Sequence, residues 1–282
     1  MSTPAVSICI PAYKAERYLA ETLASVRAQT FADWELIVTE DGSRDGTEEI
    51  VRAFAATVTQ PVRYLRHDPN RGLPATRNAG FASAQAEWIA LLDADDLWLP
   101  EHLAELHHAR SSGAALLAFA SSQIFDSKTG THLELRDATP ALTAAAAESL
   151  YLGKLIIQPS SVLFSRALLE KEGGFSSEFP ICNDLEFWLR QALGGATFVH
   201  SGRATCFYRK HPDAMSTKSA RLIAEVGDIR RRYQTRVSLP RAEKIQLTTK
   251  AYLNAARIAR TSEPRFALRC LVAAARSRLG LA

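Results

Sequence analysis

Trp88-Ile89-Ala90-Leu91-Leu92-Asp93-Ala94-Asp95-Asp96 is the stretch on which the fold turns. Its five consecutive apolar residues do not alternate with polar ones, which is the pattern of a strand buried on both faces. The run stops abruptly at an acidic cluster. Pro100 then stands where the first turn of a helix accepts proline. A buried strand that delivers carboxylates to its own carboxyl end and then turns into a helix is a unit of an α/β sheet.

The same unit recurs upstream. Val6-Ser7-Ile8-Cys9-Ile10 is an apolar run ended by Pro11, and Leu36-Ile37-Val38 runs into Glu40-Asp41-Gly42-Ser43. Val62-Arg63-Tyr64-Leu65 forms a further strand. Between these runs, residues 16–28, 47–56 and 72–84 carry helical spacing, the second capped by Asp45 or Thr47. Short connections between alternating strands and helices predict a mostly parallel sheet covered on both faces. In such sheets ligands bind outside the carboxyl ends of the strands. The polar clusters at 11–14, 40–43 and 93–96 are therefore expected to converge. Further on, strands are predicted at 116–121, 161–164, 197–199 and 206–208, a hairpin or loop within 123–138, and helices at 166–172 and from Asp184 to Leu193. An alanine run at 144–147 lies inside a predicted helix. From about Thr217 the chain reads as helix, broken near Pro240 and Pro264.

The bulk properties bound the function. The chain has 282 residues, 47% hydrophobic and 23% charged, as in ordinary globular proteins. No apolar run approaches the roughly 20 residues needed to span a bilayer, and the N-terminus lacks the basic region of a secretion signal. Cys9, Cys182, Cys206 and Cys270 are scattered, which predicts buried thiols in a reducing cytoplasm, neither disulfides nor a zinc site. The net charge of +4 hides an asymmetry: residues 217–282 hold 15 Lys and Arg against 4 Asp and Glu, and the remainder holds 19 against 26.

Asp93-x-Asp95 presents two carboxylates on one side of an extended segment. Two hard oxygen ligands suit Mn²⁺ or Mg²⁺, best when a substrate phosphate completes the shell. A solvated loop or helix cap is the alternative. Asp41, after another strand, can accept from a base N–H or ribose hydroxyls, and Gly42 lets backbone and ligand approach closely. Asp184 heads an apolar helix, either as its N-cap or as a base. Glu186 is two residues on and at i,i+4 spacing from Arg190.

Taken in order, Val6–Tyr13, Ala28-Gln29-Thr30 before Trp34–Val38, Asp41-Gly42-Ser43, Asn70-Arg71-Gly72, Arg77-Asn78-Ala79-Gly80 and Leu92–Asp96 resemble glycosyltransferase family 2. The resemblance is dense over about residues 6–105 and thins to about 216. It implies a GT-A fold with a Rossmann-like sheet flanked by helices: a nucleotide-binding half over about 1–112, an acceptor-side half over about 113–216, and a basic helical extension over 217–282. It also implies an inverting transfer from a nucleoside diphosphate sugar, uridine-based for preference, to a saccharide or lipid-linked hydroxyl in cell-surface polysaccharide synthesis. Pro11, Ala12 and Tyr13 would line the base pocket, and Asp41 would accept from the base. Arg77 and Asn78 would lie near the diphosphate. Asp93 would reach ribose or metal, Asp95 would ligate the metal with His211 as a further ligand, and Asp184 would be the catalytic base. Tyr208-Arg209-Lys210-His211, with Ser216 beyond, would offset diphosphate charge.

Three residues depart from the family pattern: Lys14 for Asn, Glu40 for Asp and Asn183 for Glu. They keep open the identity of the base, and also a paralogue that binds the nucleotide sugar without transferring it. A haloacid dehalogenase-type phosphotransferase would place Asp after the first strand, where Pro11-Ala12-Tyr13 stand. A nucleotidyltransferase would need a glycine-rich basic loop there. The basic C-terminal helices suit either an anionic membrane surface or a solvated face. Nucleic acid is not expected, because aromatics are sparse among those arginines.

Overall fold

The computed structural model describes residues 3–111, 115–212, 214 and 219–279. Its first half follows the apolar runs: β1 (Val6–Ala12), α1 (Leu19–Arg27), β2 (Trp34–Glu40), α2 (Thr47–Ala55), β3 (Val62–Arg66), α3 (Leu73–Ser83) and β4 (Trp88–Leu91). Then come β5 (Leu97–Trp98), α4 (His102–Ser111), β6 (Leu117–Asp126), β7 (His132–Arg136), α5 (Pro140–Ala144) and α6 (Ala146–Leu152). A 3-10 turn (Pro159–Ser161), β8 (Val162–Ser165), α7 (Ala167–Glu172), α8 (Asn183–Leu193) and β9 (Phe198–Lys210) complete the sheet-forming part. Three helices follow, α9 (Ser219–Tyr233), α10 (Arg241–Ala259) and α11 (Pro264–Arg278).

The strands form one sheet in the order β3-β2-β1-β4-β8-β6-β9-β5, with β7 paired to β6. β3, β2, β1 and β4 run parallel. β8 is antiparallel to both β4 and β6, and β6 is parallel to β9. The chain steps outward from β1 to β3 and then returns to the other side of β1 as β4. That reversal opens the crevice at the carboxyl ends of β1 and β4.

Every residue of β1 and β2 is buried, and alternate residues feed two separate cores. Ile8, Ile10, Leu36, Val38 and Ala90 pack with Leu19, Leu23, Val51 and Leu103 from α1, α2 and α4. Cys9, Ile37, Ile89 and Leu91 face the opposite way, toward Phe81 of α3 and Phe187 and Trp188 of α8. Ile229 and Tyr233 of α9 belong to this second core. α10 and α11 share a smaller, alanine-lined cluster, in which Ala255, Ala259, Ala267 and Cys270 meet. The division proposed at 216/217 falls among residues outside those described, as does Ser216. All four cysteines are free and buried.

Several boundaries differ from the sequence reading, each for a physical reason. β1 runs through Pro11, which pairs with Thr39 of β2. Leu92 N donates to Cys9 O at the last rung toward β4. Two residues further, the N–H that proline lacks faces the side β4 has already left. The alanine run 144–147 is split at Ala145, whose φ/ψ of −105°/44° ends α5 and begins α6. The two short strands expected at 197–199 and 206–208 are one, β9. α8 begins one residue earlier than expected, with Cys182 as N-cap, so Asp184 lies inside the first turn and is not its cap.

Lys14 has φ 52°, a left-handed conformation that costs an ordinary side chain roughly 1–2 kcal/mol and suits asparagine far better. Its backbone N–H donates to Ser43 Oγ at 3.1 Å, tying the β1 turn to the β2 turn. Restoring the family residue with K14N is expected to raise the melting temperature by ~2–4 °C, equivalent to about 1 kcal/mol. An unchanged or lower value by differential scanning fluorimetry would show that the turn is not strained by Lys14.

Candidate active site

β2 and β4 lie on either side of β1, so their carboxyl ends are separated by two strand spacings, about 10 Å. Asp41 stands at the first end and Asp93 at the second. Pro11 and Ala12 line the floor between them, both buried, and the half-exposed Tyr13 ring rises at the rim with Lys14 Nζ 5.3 Å from its centroid.

Asp41 organises the turn before α3. Its oxygens accept from the backbone N–H groups of Arg71 and Gly72, both at 2.8 Å, and His67 Nδ1 lies 2.9 Å away. Burial disfavours its charge, but those hydrogen bonds outweigh burial and hold its pKa below the usual carboxylate value. Asn70 Nδ2 donates to Asp41 O. Gly42 has φ 79°, and a Cβ there would stand 2.8 Å from Asn70 N, so the close approach requires glycine. Glu40, the departure from the family's Asp, is buried beneath this turn and accepts from Gly42 N and Ser43 N at 3.0 and 2.6 Å. The longer side chain closes the turn from below and does not reach the crevice mouth.

At the β4 end, the three carboxylates differ in role. Asp96 is fully buried, accepting from Ser160 Oγ at 2.5 Å and Arg209 N at 2.8 Å. Ser160 in turn accepts from Asp93 N at 3.0 Å. Both oxygens of Asp93 meet Arg77 Nη2, at 2.7 and 3.0 Å. Asp95 is a third exposed, with Oδ2 2.8 Å from His211 Nε2. Burial, with repulsion from Asp95 and Asp93, pushes Asp96 far above the usual carboxylate pKa. Burial also raises Asp93, against the attraction of Arg77. Such a cluster gains from a cation.

Two expectations at this end change. Both Asp93 oxygens are engaged by Arg77, so Asp93 is a poorer metal ligand than Asp95. Arg209 offers little charge to a diphosphate, because its Nε donates to Asp95 O and its Nη2 meets Glu21, both at 2.7 Å. Among the described residues, no three His, Cys, Asp or Glu side chains stand close enough together to enclose a cation by themselves. Asp95 and His211 nevertheless fit a divalent ion whose other ligands are phosphate and water. Both are polar, adjacent and at the crevice, and buried His211 Nδ1 lacks a hydrogen-bond partner.

Arg77 joins this edge to α8. It is 2% exposed, and its Nη1 donates to Asn183 Oδ1 at 2.6 Å. The neutral Asn183 leaves Asp93 as the carboxylate paired with Arg77. Asp184, next in the chain, is partly exposed and accepts from Leu185 N at 2.8 Å. Burial raises its pKa, with Arg77 pulling the other way and Asp93 adding to the rise. Glu186, the fallback base, is fully buried, engaged by Arg190 at 2.9 Å and by the Tyr233 hydroxyl. It is excluded from that role. Asn78 also has a structural partner: its amide donates to Phe175 O at 2.9 Å and its Oδ1 accepts from Phe175 N at 2.8 Å, so it pins the loop before α8.

Two contributors were not visible in the sequence reading. Ser160 bridges Asp93 and Asp96, and the Pro-Ser-Ser step before an apolar strand was its only local signal. Glu225 of α9 accepts from Ile181 N and Cys182 N, at 2.9 and 2.8 Å, and so caps the turn that carries Asp184. No local pattern marks it, because its partners are far away in the chain.

The glycosyl transferase family 2 pattern matches residues 7–173. A relative in Bacillus subtilis (strain 168), described as a putative teichuronic acid biosynthesis glycosyltransferase, TuaG, is 28% identical over 165 residues, 58% of this chain and 57% of its own length. The chain spans about half the length of the curated relatives it matches first. Staphylococcus aureus TarS 1–349, solved with UDP-GlcNAc, superposes with a TM-score of 0.75 at 18% identity, over 96% of this chain and 81% of that one. The mannosyltransferase PcManGT from Pyrobaculum calidifontis, solved with GDP-Man and Mn²⁺, gives 0.66 at 19% identity, over 99% and 75%. These likenesses show the GT-A fold that the resemblance implied. With the pattern covering more than half of its length, this chain belongs to glycosyltransferase family 2.

Proposed function

We propose that the protein transfers a glycosyl group, with inversion, from a nucleoside diphosphate sugar, uridine-based for preference, to a hydroxyl of a saccharide or lipid-linked acceptor in cell-surface polysaccharide synthesis. One observation carries this reading: Arg77 bonds both Asp93 and Asn183, tying the carboxylate edge of β4, which we assign to the metal, to the turn bearing Asp184, which we assign as the base. TuaG's description as a putative teichuronic acid biosynthesis enzyme and the UDP-GlcNAc bound to TarS support cell-surface polysaccharide synthesis and a uridine-based donor. A peripheral site at the inner face of the cell membrane suits a lipid-linked acceptor, and among the described residues no helix is long and apolar enough to cross a membrane.

The base would rest against Pro11, Ala12 and Tyr13, with Asp41 receiving its N–H. Mn²⁺ or Mg²⁺ held by Asp95 and His211 would supply charge neutralisation of the diphosphate. The Asp184 carboxylate accepts the hydroxyl proton as the oxygen bonds to the anomeric carbon. The bond from that carbon to the diphosphate oxygen breaks with its electron pair going to the nucleotide.

A thermal-shift panel of UDP-, GDP- and dTDP-sugars with and without Mn²⁺ tests the donor. A ligand at ~100 times its Kd adds about 2.7 kcal/mol. One nucleotide class is expected to shift melting, and only with metal. Asp95→Asn is expected to abolish the metal-dependent part of that shift and to lower UDP release at least ~100-fold. A folded wild-type protein unmoved by every donor overturns the proposal. A shift without UDP release identifies a binding paralogue.

A further inference from the structure

α11 buries Ala267, Cys270, Ala274 and Ser277 against the rest of the protein. At 100° per residue these lie on one side of the helix. Leu268, Val272 and Leu279 fall on the opposite side, within about 40° of one another, and are 62%, 52% and 71% exposed, while Leu271, 48% exposed, lies on the shoulder between them and the buried side. An apolar crest of this kind is not needed for folding, since it touches no core. It is flanked by Arg265, Arg269 and Arg276 on one side and Arg278 on the other, and α11 contains no carboxylate. Leu268, Val272 and Ala273 also form the floor of a groove of about 370 Å³ whose walls are Arg231, Arg269 and Arg276.

We infer that the exposed crest of α11 docks on an anionic lipid bilayer. The leucines and valine enter the headgroup boundary, and the groove between Arg231, Arg269 and Arg276 receives a lipid phosphate. The charge selects the partner. Arginine on both flanks with no acid between them complements an anionic leaflet, whereas a second copy of this chain would bring the same arginines face to face. An interfacial helix normally offers this combination of an apolar side and a cationic rim. The inference names the surface by which the proposed peripheral site is reached, and its test is independent of which nucleotide sugar is bound.

The test uses the full chain with vesicles of phosphatidylcholine alone or with a quarter phosphatidylglycerol. Flotation is expected with the anionic vesicles at low salt and to weaken as salt rises. The R265E/R269E variant is expected to bind at least ~tenfold more weakly, with melting temperature and donor-dependent UDP release unchanged. Leu268→Trp reports insertion: its emission is expected to shift to the blue on anionic vesicles only, above the constant signal of Trp34, Trp88, Trp98 and Trp188, all buried. Four results overturn the inference: no flotation at low salt, equal flotation on neutral vesicles, wild-type binding by R265E/R269E, or a dimer in solution that L268S/L271S converts to monomer. Because UDP release is read in the same samples, loss of vesicle binding with intact release separates failure of docking from failure of the catalytic reading.

Discussion

Asp184→Asn is expected to lower kcat by about 10²–10⁴-fold, the range for removing a positioned general base, while leaving the metal-dependent thermal shift with donor unchanged. Asparagine keeps the shape and can still accept from Leu185 N, so the loss is one of proton acceptance. Burial raises the Asp184 pKa above the usual carboxylate value. A base must be ionised to act, so if Asp184 has the proposed role the acid limb of the rate profile should lie higher than an exposed aspartate would give, with activity falling as pH drops through it. The stability effect has the opposite sign. A carboxyl whose folded pKa is raised holds its proton more tightly in the folded state. Its contribution is present at low pH and is lost as pH rises through the folded value. At neutral pH the ionised group therefore destabilises the fold, and D184N should melt no lower than wild type and at a higher temperature if nothing else changes. A variant that keeps more than a tenth of wild-type kcat would remove Asp184 from the mechanism.

Arg77→Met carries the largest expected cost in stability. Arg77 is enclosed, holds both oxygens of Asp93, donates to Asn183 and lies 5.2 Å from the Phe175 ring centroid. Methionine preserves most of the volume but leaves Asp93 facing Asp95 without its counter-charge. Breaking a buried pair from one side costs about 3–5 kcal/mol, and the lower figure applies because Asp93 is 24% exposed. Denaturant titration should show a loss near 3 kcal/mol. Adding Asp93→Asn should recover part of it, since the uncompensated charge is then gone. Transfer should fail with the fold still present, because the tie between the β4 edge and α8 is cut. A loss below about 1 kcal/mol would mean that Asp93 finds another partner.

The sheet was legible because parallel strands leave continuous apolar runs, and Trp88–Leu92 or Leu36–Val38 have no other good reading. The site was legible as far as topology carries: Asp41, Asp93 and Asp95 follow strands and therefore share an edge. What each carboxylate does was not legible. Asp95 and Asp96 are neighbours in sequence, yet one faces the crevice and the other is sealed under Ser160 and Arg209. Only tertiary contacts separate them. The same holds for Asn78 and Arg209, whose partners Phe175 and Glu21 are chosen by folding and not by spacing. The long β9 was read as two pieces because its middle, Ser201-Gly202-Arg203, holds no apolar side chain and is exposed at Gly202 and Arg203, and propensity there points to a turn.

Glu225 grips the turn just ahead of Asp184 from a helix that lies beyond the last strand. The tail and the chemistry are therefore not interchangeable modules. A chimera that grafts the last three helices of a relative onto this sheet must carry over a carboxylate at that position, or two backbone N–H groups next to Asp184 lose their acceptor. Engineering of acceptor choice by swapping tails should be planned around that contact first.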